Sequence, residues 1–316
     1  MTVFAEEWAA TYGSPYLVVE DDGPTGDAEL VEDGAEFRCH SPVIDGAAPQ
    51  LAFVDGVRRG EAALYQVDDT TGAVARAVAG GHACGAVVVD NGHPEFGANR
   101  VLRIVICGSG VKLELPAIAG GWQWKPVSIA NTAPDAPLHE LQIRMREEEG
   151  RLAEELCGDG YLVIVDGPLT FVRSRRDLPV VGYIKTHQRM LLPAEMHRKI
   201  TTLGVGQRSS IFRLGADRYS CYLRVGNGFG GGPWHGIVRL EVPQSAGLAD
   251  TVRVVDLVAA IVPRYAGVAH CDPRAPQNLQ PVGALEKHLR HLLGNGGLAV
   301  RAVRAAVHTL EAGGSS

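Results

Sequence analysis

The chain has no excess of basic charge, no paired-cysteine motif, no long apolar run and no leader-like start. Each absence excludes a class of protein. Lysine and arginine total 30 against 36 aspartates and glutamates, a formal net charge of −6. No global positive field announces nucleic acid, so any nucleic-acid surface has to be local. The six cysteines, Cys39, Cys84, Cys107, Cys157, Cys221 and Cys271, form no CxxC pair and mostly lie in or beside apolar runs. That spacing argues against a zinc site and for scattered reduced thiols. No segment reaches the ~18 apolar residues that span a bilayer. "VRVVDLVAAIV" (252–262) comes nearest and carries Arg253 and Asp256. With no basic start followed by an apolar run, we expect a cytoplasmic protein without membrane contact. The glycine-rich "GNGFGGGP" lacks the lysine of a P-loop and reads as a loop between two strands.

What is present is a globular composition. The 316 residues are 46% hydrophobic and 21% charged, enough to bury a substantial core. Residues 1–45 are acidic and irregular and read as an N-terminal extension. From residue 50 a series of short strands is expected: "QLAFVDG", "GEAALYQVDD", "AVARAVAGG", "CGAVVVDN" and "NRVLRIVICG". In the next segment Leu138, Leu141, Met145, Leu152 and Leu156 recur at helical spacing, which predicts one long helix. "YLVIVDGPL" and "LPVVGYIKT" then read as strands buried on both faces. Helices are expected over "PAEMHRKITTLG", "ADTVRVVDLVAAIVPRY", "QPVGALEKHLRHLLGN" and "LAVRAVRAAVHTLEA". "RSSIFRL", "RYSCYLRV" and "HGIVRLEVP" form a second strand set, where Arg224, Arg239 and Glu241 can form a structural ion pair. The order predicts an α/β fold with a mixed sheet.

Two aspartates share a context. Asp55 in "LAFVDGVRRG" and Asp166 in "LVIVDGPLTF" each follow an apolar run and precede a glycine. Taken singly, an Asp-Gly at a strand end is ordinary turn chemistry. Taken together, two acids ending adjacent strands form a pair that one cation would stabilise, and oxygen ligands suit Mg²⁺ or Mn²⁺. The helix supplies a third acid. Glu149 lies four residues after Met145 and three before Leu152, on the buried stripe, and Glu148 shares that face in the alternative register. An acid on a buried stripe demands a partner. A further ligand can come from Glu286 or His288 in the late helix or from Asp272 in "HCDPRAPQNL". Such a set is the raw material of metal-assisted phosphoryl transfer. Lys185 in "YIKT" can meet phosphate charge. Arg58 and Arg59, and Arg173, Arg175 and Arg176 in the basic run "RSRR", are the DNA-contact candidates. Trp122 and Trp124 can stack on bases or simply pack.

"LAFVDGVRR", "QIRMREEEGRLAEEL", "YLVIVDGPLTF", "LPVVGYIKT", and "YLRV" leading to "HGIVRLEVP", in this order, resemble the NurA family of DNA nucleases. The resemblance spans residues 46–316 and leaves out 1–45. It implies an RNase H-like mixed sheet flanked by helices, with additional antiparallel strands. It also implies a Mn²⁺-dependent deoxyribonuclease (Mg²⁺ being the alternative ion) that works as a homodimer with a HerA-type hexameric ATPase, in DNA repair or antiviral defence. Residue by residue, Asp55, Glu149 and Asp166 match the family's acids. Asp272, Glu286 and His288 compete for the late ligand. Val57 stands where the family usually has a small residue. The other reading is a non-catalytic scaffold of the same fold that docks on an ATPase and guides DNA.

Overall fold

A computed structural model describes residues 2–5, 28–44, 46–172, 178–187, 190–227 and 232–313. In chain order the strands open with β1 (Thr2–Ala5), β2 (Glu29–Leu30) and β3 (Cys39–His40). Next come β4 (Leu51–Val67), β5 (Val74–Asp90), β6 (His93–Cys107) and β7 (Lys125–Ser128). Helix α1 (Ala136–Gly158) leads into β8 (Leu162–Asp166), β9 (Val180–Ile184) and α2 (Ala194–Ile200). The strands β10 (Arg208–Ser209), β11 (Phe212–Leu214), β12 (Arg218–Arg224) and β13 (Ile237–Pro243) follow. The chain ends with α3 (Leu248–Ile261), α4 (Gln280–Leu292) and α5 (Gly296–Gly313).

The centre of the sheet runs β6-β5-β4-β8-β9. Strands β4, β5 and β6 form an antiparallel meander. The chain then crosses through α1 and returns as β8, parallel to β4, with β9 parallel to β8. This is the RNase H-like order, and β13, β12 and β11 extend it as antiparallel strands.

Five short strands were expected between residues 50 and 107; three long ones form. "VRRGEA" looks like a turn, yet β4 passes straight through it, paired to β5 with one irregularity between Gly60 and Ala62. The glycines of β5 are not turns either. A Cβ at Gly80 would lie 3.0 Å from Leu141 Cδ2, and one at Gly85 would lie 3.1 Å from Leu289 Cδ2. Those glycines leave room for α1 on one face and α4 on the other. Parts of the acidic first 45 residues join the same sheet: β1 pairs with Leu64–Val67, β2 with β11, and β3 with β10.

Side-chain alternation along β4 sets the two layers. Phe53 and Val57 pack with Leu285 and Leu289 of α4 and with Val255 and Val258 of α3. Ala52 and Val54 pack on the opposite face with Leu152 and Leu156 of α1. Among the described residues no helix is long and apolar enough to cross a membrane. Arg239 pairs with Glu241 at 2.6 Å, whereas Arg224 donates to the backbone carbonyls of Thr201, Pro233 and His235.

Candidate metal centre

Asp55 is not at a strand end. It is the fifth residue of a 17-residue strand. What ends beside it is the parallel neighbour, because β8 pairs with β4 only from Leu51 to Val54. Asp166 is the last residue of β8, so both acids sit where parallel pairing stops. The next residue, Gly167, has φ of +124°, a conformation suited to glycine. Its N–H donates to Tyr183 O at 3.0 Å, which turns the chain away and leaves the Asp166 carboxylate at the edge.

By strand alternation Asp55 points to the α4 face, along with Phe53 and Val57. Glu286 reaches it from α4. One carboxylate oxygen each of Asp55, Asp166 and Glu286 lies within 4.8 Å of the others. Asp55 is buried, at 5% exposure, and Glu286 keeps 14% of its side chain accessible. Burial first, then the charges of Asp166 and Glu149, pushes the Asp55 carboxyl well above the usual carboxylate range. Asp166 Oδ2 accepts from Lys185 Nζ at 2.6 Å, while its Oδ1 is buried with no hydrogen-bond partner. Three converging carboxylates, one with an orphaned oxygen, are an all-oxygen donor set of the kind that holds a hard divalent cation.

Glu149 enters from the α1 face. Gly56 makes room for it, since a Cβ there would lie 2.6 Å from Glu149 Oε1. Glu149 is 1% exposed, and burial raises its pKa against the opposing pull of Arg146. Arg146 Nη1 donates to Glu149 Oε2 at 2.7 Å and to Asp166 O at 2.8 Å. The helix acid is thus held by an arginine that also grips the Asp166 backbone. It is not one of the three clustered carboxylates.

A second layer comes from the loop before α4. Lys185 Nζ also donates to Asn278 Oδ1 at 2.8 Å, and Asn278, 1% exposed, donates to Asp272 Oδ2 at 2.6 Å. Arg274 bridges onward, donating to Asp272 and, through both terminal nitrogens, to the two oxygens of Glu286 at 2.9 and 3.0 Å. Burial works against ionisation of Asp272, but hydrogen bonds from Arg274 and Asn278 bring its carboxyl down to about 2. Asp272 therefore braces the cluster from behind rather than joining it.

The remaining sequence candidates stand outside the three clustered carboxylates. Glu148 is one residue, about 100°, further round α1 and pairs with Arg100 and Arg151. His288 is two residues past Glu286, on another side of α4, and stacks on Phe96 at 4.2 Å. Arg59 uses its terminal nitrogens on the Leu293 and Gly294 carbonyls and on Glu61, fastening the end of α4 to the sheet. Arg58 lines an open pocket of about 370 Å³ beside Asp55 and Glu286. Arg173, Arg175 and Arg176 lie outside the described residues. Trp122 stacks on Trp124 and carries Arg103 over its ring at 4.5 Å. Sequence reasoning missed Arg146 and Gln142. Their signal was present, since both flank the apolar stripe of α1 at three- and four-residue spacings that end on Glu149.

No family profile matches the chain, and neither does any curated protein. Solved structures do. The NurA nuclease from Sulfolobus solfataricus aligns over 85% of this chain and 87% of its own, with a TM-score of 0.45 and 9% identity. Human ENDOV aligns over 78% of this chain and 84% of its own, with a TM-score of 0.36 and 16% identity. The catalytic domain of human Endonuclease V aligns over 78% and 85%, with a TM-score of 0.37 and 14% identity.

Proposed function

We propose that the chain is a metal-dependent deoxyribonuclease that hydrolyses phosphodiester bonds. The observation that carries this reading is the convergence of Asp55, Asp166 and Glu286 within 4.8 Å where parallel pairing ends, with Lys185 against one of them. Ligand sites in sheets with parallel strands form at such strand ends. A divalent ion, Mn²⁺ or Mg²⁺, supplies Lewis-acid charge to a phosphate and lowers the pKa of water. Asp55, Asp166 and Glu286 are the residues that would hold it. Lys185 keeps a positive charge beside Asp166, where negative charge on a phosphodiester would gather. Arg146 neutralises Glu149, so the helix acid adds little net charge to the cluster, and Arg274 fixes the orientation of Glu286.

The finer features rest on the sequence resemblance to the NurA family. These are Mn²⁺ as the ion, a homodimer, a HerA-type hexameric ATPase as partner, and a role in DNA end processing or antiviral defence. The net charge of −6 suits a nuclease to which a partner delivers DNA. Asp55→Ala and Asp166→Ala are expected to abolish Mn²⁺-dependent cleavage while the circular dichroism spectrum stays that of the parent. Cleavage at the parental rate by either variant would overturn the assignment. Assays with and without the ATPase test the partnership, and calorimetric titration with Mn²⁺ separates a nuclease from a scaffold.

A further inference from the structure

The pocket beside the carboxylates is lined by Asp55, Gly56, Val57, Arg58, Gln142, Met145, Arg146, Glu286 and Arg290. Its acids belong to the metal centre. Its cations have a different balance. Arg146 already has a counter-ion in Glu149, and the same Nη1 also donates to the Asp166 carbonyl. Among the described residues Arg290 pairs only with Glu286, Nη2 to Oε2 at 3.9 Å, and it is 71% exposed. Arg58 is half-buried, and among the described residues no carboxylate pairs with it. Its Nε donates to Gln142 Oε1, which fixes the plane of the guanidinium, and among the described residues its terminal nitrogens have no hydrogen-bond partner. A half-buried cation with no counter-ion is costly, and the fork of an arginine matches a phosphate.

We infer that Arg58, oriented by Gln142 and joined by Arg290, forms a subsite for a phosphodiester next to the one at the metal centre. The ligand class is a nucleic-acid backbone. The inference rests on the proposed nuclease reading and adds to it the path of the strand. From the Asp55 and Glu286 carboxylates the backbone continues over the stretch of β4 that β8 leaves uncovered, between α1 and α4. An anion there also answers the charge imbalance: burial and the neighbouring Arg146 pull the Arg58 pKa down, and a phosphate would restore it.

The test uses the full chain, a fluorescein-labelled single-stranded oligodeoxynucleotide, and anisotropy over a range of salt concentrations. Arg58→Gln and Arg290→Ala are each expected to weaken binding roughly tenfold and to lower the slope of log affinity against log salt by about 0.7. The rise in melting temperature on adding Mn²⁺ should persist in both, because neither residue holds the ion. Parental affinity and slope in both variants would overturn the subsite. If Arg58→Gln also loses the Mn²⁺ response, its fold is disturbed, and the exposed Arg290→Ala then decides alone. Failure of the nuclease reading shows separately, as no Mn²⁺-dependent cleavage by the parent or undiminished cleavage by Asp55→Ala, and leaves the binding comparison intact.

Discussion

Replacing Asp55 with Asn should make the metal-free protein more stable, not less. Asp55 is buried between Asp166 and Glu286, with oxygens within 4.8 Å. At that distance each like-charge pair costs about 3.5 kcal/mol at an effective dielectric of about 20. Lys185 offsets part of this, and uptake of a proton by Asp55 limits the rest, so a net gain on the order of 2 kcal/mol is expected from Asn. The corresponding rise in melting temperature is roughly 4 °C in EDTA. The sign with pH follows from the raised Asp55 pKa. The folded protein keeps a proton that the unfolded chain has released above about pH 4. The Asp55 contribution is therefore fully present below that value and is lost as pH rises through the folded pKa. The advantage of Asn should vanish near pH 4 and grow above it. Added Mn²⁺ should reverse the order, since an ion at about a hundred times its dissociation constant stabilises the parent by about 2.7 kcal/mol and the variant hardly at all. Differential scanning fluorimetry in EDTA and in Mn²⁺ reads both arms. A variant that melts below the parent in EDTA, or gains as much from Mn²⁺, would refute the picture of three clustered carboxylates awaiting a cation.

Three further expectations concern the scaffold. Alanine usually stabilises a helix relative to glycine by roughly 0.8–1 kcal/mol, but in Gly150→Ala the new Cβ would lie 2.4 Å from Phe171 O. We expect a loss of about 1–3 kcal/mol in urea unfolding, and a stabilised variant would contradict that packing. Arg208 is 1% exposed and is held by Glu32 at 2.8 and 3.0 Å, with Asp256 on its Nε. Glu32→Ala should cost about 3 kcal/mol by leaving a buried charge underpaired, measured as a lower urea midpoint. His82 is 2% exposed, and burial pulls its pKa down to about 4. The unfolded chain takes up this proton first, so stability should fall on the order of 3 kcal/mol between about pH 6.5 and pH 4. His82→Leu should remove that part of the pH dependence, and identical parent and variant curves would rule it out.

Asp166 was legible because its strand is a clean apolar run that stops at Gly167, whose positive φ requires the turn. The burial of Glu149 was legible because an acid interrupts a helical stripe, but its place outside the three clustered carboxylates was not. The context of Asp55 is only partly legible: its sequence looks like a strand end, but the strand continues, and what ends is the pairing with β8, a tertiary event that no local pattern encodes. The long β-meander was misread because "VRRG" and "AGGHACG" contain turn residues. Gly80 and Gly85 of the second segment accommodate Leu141 and Leu289 from helices more than fifty residues away. Glu286 could not be separated from His288 or Asp272 in the sequence, since the choice depends on the rotation of α4 against β4 and on Arg274, which engages Asp272 and Glu286 together.

The hydrogen bonds that run from Asp166 through Lys185, Asn278, Asp272 and Arg274 to Glu286 begin and end on clustered carboxylates. They form a chain that couples two of the three acids through four intermediate side chains. A substitution at Asn278 loosens Lys185 on one side and, through Asp272 and Arg274, Glu286 on the other. Paired substitutions along these hydrogen bonds should then be strongly non-additive. For anyone transplanting this centre onto another sheet, the three acids alone are not the unit to move; the segment 272–286 and Lys185 have to go with Asp55 and Asp166.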